Sequence, residues 1–203
     1  MAGFFSNLRN VIIVSLILAG VMIAGFGYDG GGFNHDFIEA ALRWAHVVCG
    51  IMWIGLLYYF NFVQIRVMPE VPAELKPGVT KYVAPEALFW FRWAAFFTVV
   101  FGLVLAWWRG YIVEALSFGL AGGYNASDIG FTFLGVGMWL GIIMMINVWH
   151  FIWPAQKIAL GIKDGTPEQK AAAAKKAMMF SRLNTLLSLP MLTAMTMYQT
   201  IFH

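Results

Sequence analysis

His46 is the one ionisable residue inside an otherwise apolar, membrane-length run, RWAHVVCGIMWIGLLYYFNFVQ, from Arg43 to Gln64. At about 100° per residue, Arg43, His46, Gly50, Trp53, Leu57, Asn61 and Gln64 share one helical stripe. Burying a histidine in a bilayer costs free energy, so such a residue faces the bundle interior and is a functional candidate. Neutral imidazole is also the usual axial haem ligand of membrane cytochromes, since it brings no charge into the membrane. On this reading His46 ligates a b-type haem and Gly50, one turn below, lets the flat macrocycle approach the backbone. Trp53 lines the cofactor, and Arg43, one turn above, pairs with a propionate. The plain alternative is helix packing, in which small and polar residues meet across an interface and histidine hydrogen-bonds to a neighbouring helix.

His150 is the second candidate haem or metal ligand, in the run NVWHFIWPAQKIALG. A clamp of one haem between His46 and His150 requires the two to be level, whereas their expected depths differ by roughly 9 to 16 Å at 1.5 Å per residue. His150 therefore groups more naturally with Asn147, Asn61, Gln64 and Asn184 in an inner polar cluster. A copper site at His46 and Cys49 ranks below haem, because the twelve methionines show no clustering around that pair and methionine is a common packing residue. The single cysteine also excludes an internal disulfide and a C-x-x-C-H haem attachment within these residues. All ten acids lie outside the apolar runs or at their edges, which argues against a proton- or cation-coupled transporter.

Positioning these residues is a matter of membrane helices. The chain has 203 residues, 61% of them hydrophobic and 11% charged, with a mean hydropathy of +0.73, too few polar side chains for a water-facing surface. The composition predicts an all-α polytopic membrane helix bundle with about five transmembrane helices, at roughly 10–28, 37–65, 88–108, 131–155 and 178–201. The first is read as a retained helix rather than a signal peptide, its apolar run being long for one. The four prolines of 66–87 predict a water-exposed loop, and YIVEALSFGL a short helix on the bilayer surface. The net charge of +3 does not point to nucleic acid, because the cations sit in loops between spans. Lysine and arginine concentrate in 66–87 and 156–182, which places the N-terminus and those loops in the cytoplasm and the C-terminus, with His203, outside.

Three runs, HVVCGIMWIGLLYYFNFVQ, NVWHFIWPAQKIALG and SRLNTLLSLPML, resemble the membrane domain of the bacterial membrane-bound urate oxidase (urate hydroxylase) family. The resemblance implies urate oxidation in a bacterial inner membrane, with electrons passed to a c-type haem. In that family the membrane domain is joined to a C-terminal cytochrome c domain, whereas no C-x-x-C-H occurs here. The expectation is therefore either a separate cytochrome c docking on the outer face, or reuse of the fold as a non-catalytic accessory subunit of a larger membrane complex. A urate pocket would need an arginine with amide partners, for which Arg43 or Arg92 with Asn61, Gln64 or Asn147 are the candidates.

Overall fold

Leucine, isoleucine, phenylalanine and valine lead the apolar runs, and helix is the only open form of backbone that satisfies all its own hydrogen bonds in lipid. The computed structural model describes residues 2–30, 32–122 and 129–202, and they contain helices and no strand. After a single turn at Ala2–Phe5 come α1 (Leu8–Asp29), α2 (His35–Val67), α3 (Lys76–Trp108), the short α4 (Ile112–Leu116), α5 (Ile129–Ala159) and α6 (Pro167–Ile201). Four of them, α1 through its Leu8–Gly25 segment, α2, α3 and α5, are long and apolar enough to cross a membrane. α6 has 35 residues, about 52 Å at 1.5 Å per residue, yet is less apolar because Arg182, Asn184 and a series of hydroxyls interrupt it. His203 and residues 123–128, with Asp128 and most of the GGYNASDIG connector, lie outside the described residues.

The chain forms two compact units, divided within α2 after Leu42. In the first, the amide of Gly32 donates to the Gly27 carbonyl at 2.9 Å to close the turn after α1. Gly32 has φ +79°, which glycine adopts without strain. Asn34 caps α2 by accepting from the Phe37 amide at 2.9 Å, and the Phe37 ring covers Gly27, where a Cβ would lie 3.0 Å from it.

The second unit packs α2, α3, α5 and α6 about one core of Trp53, Leu57, Phe60, Phe91, Met144, Val148, Ile152 and Met191. Cross-helix bonds fix the directions. Arg43, Tyr58 and Asn61 of α2 meet Gln199, Ser188 and Ser181 of α6, so these two helices run antiparallel. Lipid is as apolar as leucine, so close packing rather than water exclusion holds such helices together, and glycine provides it. A Cβ at Gly137 of α5 would lie 2.6 Å from the Ala194 Cβ of α6. Gly135 meets the Ala115 carbonyl of α4 so closely that no side chain fits.

The helix boundaries correct one expectation. The 66–87 segment is a loop only as far as Leu75, and α3 already begins at Lys76. Pro77 sits in the first turn, where no intrahelical N–H is required. Pro85 is accommodated by a preceding π-helical turn at Val79–Val83, closed by the Ala84 amide on the Val79 carbonyl. α5 repeats the device, with a π-turn at Asn147–Ile152 just before Pro154. α2 has a third π-turn at Tyr59–Gln64 without a proline. There the Asn61 side chain occupies the Leu57 carbonyl at 2.8 Å, the position its own amide would take in an α-helix. YIVEALSFGL does form a short helix, α4, and it is docked on α5. Thr132 Oγ1 donates to the Phe118 carbonyl at 2.6 Å and Trp139 Nε1 to the Leu116 carbonyl at 2.9 Å.

Candidate functional site

His46 lies half-buried between α2 and α3, with Nδ1 2.8 Å from the Thr98 carbonyl. A carbonyl only accepts, so Nδ1 carries the proton and the neutral ring keeps its lone pair on Nε2. Nε2 receives no hydrogen bond from any described residue. Gly102, one turn beyond Thr98, makes room for the ring, since a Cβ there would lie 2.9 Å from both Cε1 and Nδ1. Thr98 keeps its own hydroxyl occupied on the Ala94 carbonyl at 2.7 Å. The ring is thus held through Nδ1 by a backbone carbonyl, the kind of bond that orients metal-ligating histidines elsewhere.

The other residues expected around a haem fit it less well. Gly50 faces α3, with the Thr98 methyl 3.7 Å from where its Cβ would be, so its bare side is filled by protein rather than open to a macrocycle. Trp53 is 1% exposed within the core, and its Nε1 has no acceptor among the described residues. Arg43 donates to Gln199 Oε1 at 2.9 Å, a partner on α6 that the sequence did not suggest. Of these residues His46 alone keeps a metal-ligating lone pair without a partner among the described residues, while Gly50 and Trp53 are packed on protein and Arg43 is bonded to α6.

His150 is exposed. It leaves the inner polar cluster because Asn147–Ile152 is a π-turn. A turn closed i→i+5 needs about one more residue per turn, so three positions beyond Asn147 no longer return to the same face. The two histidines are also on different levels. Arg43 pairs with Gln199, and Asn147 with Asn184 at 2.9 Å. Fifteen residues of α6 separate those partners, about 22 Å of helix. His46 and His150 each follow their neighbours by three positions, so one haem cannot bridge them.

The cluster that does form joins three helices. Asn184, fully buried, accepts from Asn147 Nδ2 and donates to the Met144 carbonyl at 2.9 Å. Asn61 Nδ2 donates to Ser181 Oγ at 2.8 Å, and the Tyr58 hydroxyl meets Ser188 Oγ at 3.0 Å. Asn61 Oδ1 and Gln64 Oε1 are buried acceptors without a donor among the described residues. Ser181, Asn184 and Ser188 recur at helical spacing, a signal for this face of α6, whereas nothing in the sequence marks Tyr58 as their partner. No group of three histidine, cysteine or acidic side chains able to hold a metal ion occurs among the described residues, and Cys49 is a half-buried thiol. The chain matches no family model, no curated protein and no solved structure.

Proposed function

We propose that this chain is a redox subunit of a bacterial inner membrane, in which His46 would ligate a b-type haem. The observation that carries the reading is the His46–Thr98 bond, which fixes the tautomer and leaves Nε2 available for a metal. Bound there, the haem supplies one-electron transfer. His150, on another level, would not hold the same haem as His46. A c-type cytochrome at the outer face would be the electron acceptor, and the resemblance to urate hydroxylases suggests urate or a related purine as the donor. In this reading α6 is a fifth crossing, its polar residues turned inward on Asn61, Asn147 and Tyr58. The cationic 156–182 stretch favours a cytoplasmic N-terminus and an outer C-terminus.

A second reading, an accessory subunit without a cofactor of its own, is favoured by the face of α2 opposite His46. Val48, Ile51, Met52, Gly55 and Leu56 line an open apolar groove there, and a glycine in an exposed apolar stripe is what helix association in lipid uses. Purification from host membranes in mild detergent, with haem extracted and counted per chain, separates the two. Haem in stoichiometric amount is expected. A haem-free chain within a larger complex would replace the first reading by the second.

A further inference from the structure

Arg92 of α3 lies in an apolar segment without a carboxylate. Its guanidinium stacks on Trp153 of α5, 3.9 Å from the ring centroid, and its side-chain N–H groups make no hydrogen bond or ion pair among the described residues. The backbone fixes the arrangement, since Trp149 Nε1 donates to the Arg92 carbonyl at 3.1 Å across the same two helices. Lys157, one turn beyond Trp153, brings its ammonium within 5.7 Å of the same ring centroid. The two cations are therefore no more than about 10 Å apart, within roughly one Debye length at 0.1 M salt, and they repel unless an anion joins them.

The ring they share marks an interfacial position, where tryptophan sits at head-group depth. From Arg92 toward the middle of the membrane, the wall is aromatic and outward-facing. Trp93 and Phe97 stack at 5.9 Å, and Trp149 meets Trp93 edge to face at 5.3 Å. Trp93 and Phe97 are 36% and 41% exposed. Cations at the rim with an apolar wall above them match a molecule that is anionic at one end and hydrocarbon at the other.

We propose that Arg92 and Lys157 bind the phosphodiester of an anionic phospholipid, whose acyl chain lies along the Trp93–Phe97–Trp149 wall. Arginine is suited to this because its planar fork engages two phosphate oxygens while its face remains on the indole. The site is independent of the redox reading. The experiment is native mass spectrometry of the purified chain from micelles holding equal phosphatidylglycerol and phosphatidylcholine. The wild type retains phosphatidylglycerol selectively. At about 1 kcal/mol per basic residue near an anionic surface, Lys157→Gln lowers that retention about fivefold. Arg92→Gln with Lys157→Gln abolishes the preference, while Lys163→Gln with Lys170→Gln, which removes equal charge elsewhere, leaves it intact. Should the double variant fail to fold, Lys157→Gln alone decides. Equal retention of both lipids, or retention indifferent to Lys157→Gln, would overturn the proposal. Displacement of phosphatidylglycerol by inorganic phosphate would also overturn it, by making this a site for a free anion.

Discussion

Gly102 carries as much of the His46 arrangement as the hydrogen bond does. Any side chain there meets the imidazole at 2.9 Å, so Gly102→Ala must push the ring off the Thr98 carbonyl. Overpacking of this kind costs about 1–3 kcal/mol, seen as a lower thermal midpoint in detergent, together with a shifted haem spectrum where the cofactor is bound. An unchanged midpoint and spectrum would show that the ring is free to move. Asn184 makes a second residue-scale case. Asn184→Leu strands Asn147 Nδ2 and the Met144 carbonyl, and interhelical bonds in a bilayer average about 0.6 kcal/mol, with larger losses when a buried partner is left unpaired. A double-mutant cycle with Asn147→Leu should give a positive coupling energy of that order, and additivity would mean the bond contributes nothing. From sequence, the stripe Arg43–Gln64 is legible as the packed face of α2, because period and polarity alone determine it. Thr98 and Gly102 are not legible, since nothing in TVVFG announces which residue of another helix will face it until the antiparallel register is known.

Helices α2, α3 and α5 share a device, the π-turn, and it explains where sequence reasoning about elements stops. Proline between two apolar runs predicts a loop, but Pro85 and Pro154 each follow a π-turn that absorbs the missing donor and lets the helix continue. The same widening turns His150 away from Asn147, which a constant 100° step does not anticipate. Glycines separate equally clearly by environment. Gly137→Ala brings a methyl to 2.6 Å from Ala194 and Gly135→Ala collides with the Ala115 carbonyl, so each should lower the thermal midpoint. Gly141 has nothing within 4 Å, and Gly141→Ala should stabilise by about 0.4–1 kcal/mol through the unfolded chain. Equal effects at all three positions would contradict the packing of α5 against α4 and α6.

At the scale of the whole molecule, composition alone reveals a helical membrane protein, and the approximate position of each apolar run follows from hydropathy. The role of α6 is harder to read, because the polar residues that join it to α2 and α5 also lower its hydropathy below that of the other long helices. The proposed orientation is open to labelling on a Cys49→Ser background. A membrane-impermeant maleimide should reach Val113→Cys in intact cells and Lys163→Cys only after lysis, while the reverse pattern would invert the topology. The ligand role of His46 is read out by the reduced-minus-oxidised optical spectrum of the purified protein. Wild type and His150→Ala should both show a b-type haem band, and His46→Ala should lack it. A wild type without the band, or a band unchanged in His46→Ala, would rule out His46 as the haem ligand.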